Sequence, residues 1–300
     1  MEQGIAYPPR LASKIKRMSA FERFWYWIKE RHSIALKKEA GEPKPWTEDP
    51  ILQSYRFCSV YRENDRVTRW IADNWRSPHA REPDLWFAMS VARYVNWPGT
   101  LAEIGFPIPW NPRRFKLTLA RRTREGQKVF TGAYVVHSRG RQPKAVYLAD
   151  HVLSPLWKDR AKIRPKKGDT LAAFYSRLRK YNGMGSFMAA QVVADIKYAG
   201  VLLAAEDWYS FAAPGPGSRR GLNRLLKKPL DYHLSDEAWL AYINGLRAQV
   251  MRKIRGLGPV EDELMPDMHA QDVQNVLCEL DKYERVRLKQ GRPRAKYNGG

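Results

Sequence analysis

The stretch from Ser19 to Gly41 is punctuated as a helix at both ends, and the same punctuation recurs along the chain. Ser19 and Glu22 form an S-x-x-E capping box, in which each side chain takes a backbone N–H that a helix start leaves unpaired. Gly41 supplies the left-handed residue that ends FERFWYWIKERHSIALKKEA. Asn111, Pro112 and Gly126 bracket NPRRFKLTLARRTREG in the same way. Further helices are expected over ILQSYRFCSVYRENDRVTRWIADNW with one break, over REPDLWFAMSVARYV up to Pro98, and over DTLAAFYSRLRKY. Two more run from Ser235 to about Arg255 and from about His269 to Lys289. Only KVFTGAYVVHS, residues 128–138, is rich enough in β-branched and aromatic side chains to predict a short strand pair. The fold class is therefore mostly α with at most one β-hairpin. The spacing predicts an N-terminal arm over 1–18, one helical domain over 19–290 that can form two lobes, and a disordered basic tail over 291–300.

A helical hairpin is expected at 170–200. Gly183 and Gly185 allow a tight turn with positive φ, and Ser186 can cap a helix whose apolar face is Met188, Val192, Val193 and Ile196. Free N–H groups at that helix start, with Lys180 nearby, suit a phosphate oxygen. A plain helix–helix turn fits the same residues.

Lys and Arg number 53 against 31 Asp and Glu, a net charge of +22 with pI near 10. Such a surplus points to a polyanion, and nucleic acid is the commonest soluble one. The two cysteines, Cys58 and Cys278, exclude a cysteine-based zinc or iron–sulfur site and suit a reducing compartment. With no signal-peptide core and no apolar run of bilayer length, a soluble, intracellular protein is expected. No G-x-x-x-x-G-K-[ST] occurs, which argues against a P-loop kinase. The six histidines lack metal spacing, and the metal site is unknown.

Three constellations could carry chemistry. In FCSVYRENDRVTRWI, read as one helix, Phe57, Val60, Val67 and Ile71 share a stripe while Arg62, Arg66 and Arg69 face away and suit phosphates. Asn64 falls within the apolar stripe, and with Asp65 it lines a pocket or is a satisfied core amide. In DVQNVLCELDKYERVR, Asp272 and Glu279 lie about 20° apart on the helix, with Asn275 and Lys282 alongside. Two carboxylates, an amide and an amine can orient an amine nucleophile and take its proton, or form a solvated face with salt bridges. APGPGSRRG is a shaped loop in which Ser218 can cap the next helix. Arg219 and Arg220 then sit in its first turn and oppose the helix dipole, so a bound anion would explain them. Gly215, Gly217 and Ser218 add backbone N–H groups to the two guanidinium forks, a set suited to phosphate or pyrophosphate.

The hairpin resembles the helix-hairpin-helix of DNA glycosylases. Phe187 stands where lysine-bearing members carry their Schiff-base residue, which excludes a lyase of that type. Glu206 or Asp207 is placed for that superfamily's catalytic acid, without the V-D-T-H setting. Five stretches in order are more specific: ERFWYWIKERHSIALKKEAGEPKPWTEDPIL, FCSVYRENDRVTRWI, TGAYVV, APGPGSRRGLN and DVQNVLCELDKY. Together, over residues 20–290, they resemble the bacteriophage α-glutamyl/putrescinyl-thymine pyrophosphorylases, which are amino acid:DNA transferases. The same module resembles the helical domain of 5-hydroxymethyluracil DNA kinases.

The resemblance implies hypermodification of thymine in phage DNA, in the cytoplasm of the infected host. A partner kinase converts 5-hydroxymethyluracil in double-stranded DNA to its pyrophosphoryloxymethyl form. The transferase replaces pyrophosphate with the amine of an amino acid or polyamine. The hairpin and basic helices would grip DNA and the target base would flip out. Arg219 and Arg220 would neutralise the leaving group, with Mg²⁺ as an optional counter-ion. Asp272, Glu279 or Asp65 would deprotonate the amine. The alternatives are a glycosylase with Asp207 as its acid, and a non-catalytic modified-DNA-binding partner of a base kinase.

Overall fold

The computed structural model describes residues 6–131, 143–257, 265–291 and 293. Helices α1 (Pro9–Arg17), α2 (Ala20–Glu39) and α3 (Pro50–Ser54) precede a 3₁₀ turn, Arg62–Asn64. Then come α4 (Arg66–Ile71), α5 (Leu85–Val95), α6 (Pro98–Ile104) and α7 (Pro112–Arg124). Three short helices follow, α8 (Lys144–Tyr147), α9 (Ser154–Lys158) and α10 (Arg160–Ile163). Last are α11 (Leu171–Leu178), α12 (Ser186–Ile196), α13 (Pro216–Leu225), α14 (Asp236–Arg255) and α15 (Ala270–Arg287). The fold is helical, and no strand occurs among the described residues. The expected strand pair has no regular structure over 128–131, and its remainder lies outside the described residues, as does most of the tail expected over 291–300.

The punctuation behaves as its chemistry requires at α2 and α7. Ser19 N–H donates to Glu22 at 2.7 Å and Glu22 N–H to Ser19 Oγ at 3.2 Å, and Gly41 follows with φ +72°. Asn111 Oδ1 accepts from Arg114 N–H at 2.9 Å, and Gly126 closes α7 with φ +66°.

The chain forms two compact units, Met1–Asp65 with Ala212–Gly300, and Arg66–Phe211. In the first, α2, α14 and α15 meet on Trp27, Ile28, Trp239, Ile243, Val276 and Tyr283, all buried. Beside them Asp49, fully buried, accepts from Tyr26 Oη at 3.1 Å, Tyr283 Oη at 2.7 Å and Ile51 N–H at 2.9 Å. Burial nevertheless raises its carboxyl above the ordinary carboxylate range, outweighing these bonds to the charged form. The native state therefore holds this proton more tightly than the unfolded chain. Its contribution to stability is full below about pH 4 and is lost as pH rises through the raised value. Asp49→Asn removes that loss. Denaturant midpoints at pH 4 and pH 7 should show wild type losing stability relative to the variant at the higher pH; an unchanged difference would contradict the burial argument.

In the second unit every residue of α5 is buried, which makes it the central helix. Within it Arg93 pairs with Asp195 of α12 at 2.5 Å and also donates to Thr68 at 3.1 Å and Asn96 at 3.3 Å. The hairpin α11–α12 carries Met188, Val192, Val193 and Ile196 inward as expected.

Two capping expectations are corrected. Ser186 and Ser218 lie inside their helices, and Gly185 and Gly215 occupy the cap positions in extended conformation. Gly183 alone of the hairpin pair has positive φ, +82°, and its carbonyl accepts from Tyr94 Oη at 2.7 Å.

Candidate active site

Residues 56–71 do not form the expected single helix. Arg56–Val60 has no regular structure, Arg62–Asn64 is a 3₁₀ turn, and only Arg66–Ile71 is α-helical. The cause lies on α15. Asp272, Asn275, Glu279 and Lys282 follow one another at spacings of three, four and three, so they share a face over about 15 Å of helix. Each binds a backbone group of the segment alongside. Asp272 Oδ1 accepts from Arg62 N–H at 3.0 Å, and Asn275 donates to the Ser59 carbonyl at 3.1 Å. Glu279 Oε2 accepts from Cys58 N–H at 2.9 Å, and Lys282 reaches the Arg56 carbonyl at 3.4 Å.

The loop thus runs antiparallel to α15 on a ladder of side chains. Backbone groups satisfied in this way have no need of helical partners. The stripe reading consequently fails for Asn64, which is exposed, as are Arg66 and Arg69; Arg62 and Asp65 are half-buried.

The four polar residues expected to face substrate therefore face the protein's own backbone. Asp272 and Glu279 are each 4 % exposed. Asp272 Oδ2 also accepts from His269 N–H at 2.9 Å, capping α15. Both Glu279 oxygens take Lys282 Nζ, at 2.7 and 2.9 Å, and Lys282 sits 5.3 Å over the Phe57 ring. What the ladder presents outward is the loop from Cys58 to Asp65. Cys58 is exposed, and its thiol lies within electrostatic reach of Glu279, Lys282, Asp65 and Cys278.

The first turn of α13 reaches the other side of Cys278. A Cβ on Gly217 would fall on the Cys278 sulfur, so α13 starts directly over α15. Burial, reinforced by Glu279, raises the Cys278 thiol to about 11, which leaves little thiolate at neutral pH for a covalent adduct.

The argument that only a bound anion explains Arg219 and Arg220 is corrected. Arg219 donates to the Leu234 carbonyl at 2.6 Å and pairs with Asp236. Arg220 Nε donates to Asp281 at 2.9 Å, and Arg224, one turn on, binds the other oxygen of that buried carboxylate at 2.9 Å. The protein's own acids offset the dipole. Arg219 is consumed. Arg220 is not: its side chain is 39 % exposed and its terminal nitrogens form no hydrogen bond among the described residues.

Asp281 was not singled out by sequence. The signal was the i,i+4 spacing of Arg220 and Arg224, two guanidinium groups converging on one acid. The expected DNA grip, Lys180 to Ser186, belongs to the second compact unit; Lys180, Gly183, Gly185 and Ser186 are all exposed there. The acid of the glycosylase alternative is occupied: Asp207 accepts from Leu171 N–H at 2.7 Å and Ala172 N–H at 2.9 Å, capping α11. Among the described residues no group of three or more His, Cys, Asp or Glu could hold a metal ion, and no helix is long and apolar enough to cross a membrane.

Four of the five stretches that carried the phage-family resemblance meet at α15. Comparison with known proteins supports the part of that resemblance that concerns the kinase helical domain. The family described as "5-hmdU DNA kinase, helical domain" matches residues 18–292. A protein named "5-hmdU DNA kinase" from Bacillus phage SP10 is 24% identical over 228 residues, which cover 67% of this chain and 35% of that protein. The chain thus matches about a third of that relative's length. No solved structure matches. By the extent of the first match, the chain belongs to the family of 5-hmdU DNA kinase helical domains.

Proposed function

We propose that the protein is an amine:DNA transferase that completes thymine hypermodification in phage DNA, in the cytoplasm of the infected bacterium. Its substrate is 5-pyrophosphoryloxymethyluracil in duplex DNA, supplied by a kinase acting on 5-hydroxymethyluracil. This places it in the α-glutamyl/putrescinyl-thymine pyrophosphorylase branch. The kinase step is the activity in the name of the Bacillus phage SP10 relative. The observation that supports the reading is the convergence of the Cys58–Asp65 loop and the Gly215–Arg220 turn on α15.

In this reading Asp65, half-buried on the held loop, takes a proton from the incoming ammonium, because only the neutral amine has a lone pair to attack. The nitrogen bonds to the exocyclic C5 methylene carbon. The C–O bond breaks and its electron pair leaves with pyrophosphate. Arg220 meets the departing charge with its terminal nitrogens, while its Nε stays on Asp281. Backbone N–H groups at the start of α13 add to that field. Asp272, Asn275, Glu279 and Lys282 position the loop and do not touch substrate. Mg²⁺ would ride on the pyrophosphate, since the described residues form no metal cluster.

The test mixes full-length protein with a pyrophosphorylated oligonucleotide and a panel of amino acids and polyamines, followed by nucleoside mass spectrometry. The expected product is an amine-substituted thymine plus one pyrophosphate per turnover. Arg220→Ala should lower the rate by about tenfold to a hundredfold, through lost transition-state charge stabilisation. Arg219→Ala should leave the rate near wild type and lower only stability. An abasic product would establish the glycosylase instead; unchanged nucleosides with every amine would leave the binding-partner reading.

A further inference from the structure

Two arginines in the first turn of a helix oppose its dipole. At α13 Asp236 and Asp281 answer them. At α7 nothing does. Arg113 and Arg114 are the second and third residues of that helix, whose first turn holds no acid. Both are exposed, as are Leu117, Arg121 and Arg124 on the same face. The nearby acids are already taken: Glu103 pairs with Arg121 and Arg122, Glu125 with Arg121 at 3.9 Å, and Asp150 with Lys116 at 2.9 Å. Arg113, Arg114 and Arg124 form no ion pair among the described residues. They line an open depression of about 390 Å³ together with Leu117, Thr118 and Arg121.

We infer that this face of α7 is a docking surface for the phosphate backbone of duplex DNA. The inference rests on the reading that the chain acts on DNA, and it assigns the grip to residues outside both the α11–α12 hairpin and the Arg62–Arg69 stretch. Charge is the first argument. The unit that carries α7, Arg66–Phe211, has 25 Lys and Arg against 11 Asp and Glu, a surplus of 14 out of the chain's 22.

Length is the second argument. Arg113 to Arg124 spans about 16 Å of helix axis, too long for one pyrophosphate. A DNA strand presents about five phosphates in that distance. A membrane surface fits less well, because Leu117 is the one large apolar side chain on a face of arginines, and an interfacial helix needs a broad apolar side. Contacts of this kind carry register and affinity without sequence information.

The experiment measures anisotropy of an unmodified 20-base-pair duplex against salt. It uses wild type, the triple variant Arg113→Gln/Arg114→Gln/Arg124→Gln, and a charge-matched control, Arg10→Gln/Lys16→Gln/Arg17→Gln, on exposed residues of α1. Each lost phosphate contact lowers the slope of log K against log salt by about 0.9. The triple variant should therefore lose about 2.7 in slope, and roughly 80-fold in affinity at about 0.2 M salt. The single variant Arg124→Gln should lose about 0.9, which keeps the measurement decisive should the triple variant fold poorly. The control should change the slope little.

Equal losses in triple variant and control would reduce the effect to net charge and overturn the inference. So would an unchanged slope, or a loss confined to binding of anionic phosphatidylglycerol vesicles. If wild type transfers amine while the triple variant binds duplex normally, this surface alone is wrong. If wild type binds no duplex at any salt, the action on DNA falls with it.

Discussion

Gly221→Ala is expected to destabilise the unit containing α13 by about 3–5 kcal/mol, the range of the most damaging single substitutions. A Cβ there would overlap the Leu277 carbonyl oxygen and lie 2.7 Å from its carbon and 3.1 Å from its Cα. All three are backbone atoms of α15, so no rotamer change relieves the clash. The helices must separate, and α15 carries Val276, Leu277 and Leu280 into the core. For a unit of this size the expected fall in thermal midpoint is about 10 °C.

Gly217→Ala, one turn earlier, is the control. Its Cβ would meet the Cys278 sulfur, a side-chain atom, with the Cys278 Cβ 3.3 Å away. The cost should be about 1–3 kcal/mol of overpacking, and Cys278→Ala in the same chain should recover most of it. A Gly221→Ala protein that melts with wild type would show that α13 and α15 do not approach backbone to backbone.

That close approach also shows how much was legible in the sequence. Local punctuation transmitted well, since a capping box or an Asn-Pro start is decided within four residues, as at Ser19 and Asn111. The faces of α12 and α15 were legible for the same reason: helical spacing fixes which side chains are neighbours. What those neighbours touch is decided by tertiary contacts. Asp272, Asn275, Glu279 and Lys282 do share a face, yet the group opposite is a backbone more than 200 residues away in sequence. The same contacts override the helical pattern of FCSVYREN, because a segment whose N–H and C=O groups are bound from outside gains nothing by coiling. Arg219 and Arg220 show the converse. A local electrostatic conflict was correctly read, but its resolution lay on Asp236 and Asp281, whereas Arg113 and Arg114 on α7 have no ion-pair partner among the described residues.

Glu279→Ala is expected to lower kcat/KM for amine transfer by about 10²–10³, and Glu279→Gln by no more than about tenfold. Alanine removes the acceptor of the Cys58 N–H and the counter-charge of Lys282 together. Each buried group left unpaired costs about 1–3 kcal/mol, and the loop relieves that cost by shifting toward water. A shift of about 1 Å in a positioned group is enough for a hundredfold loss. Glutamine keeps an oxygen for Cys58 and a dipole near Lys282, so the loop stays in place. If Glu279 were instead the base for the amine, glutamine would be as inactive as alanine. With Asp65 as the base, Glu279→Gln keeps most of the rate while Asp65→Asn loses it. Rate profiles for the three variants, with thermal midpoints to verify folding, separate the residue that holds the loop from the residue that takes the proton.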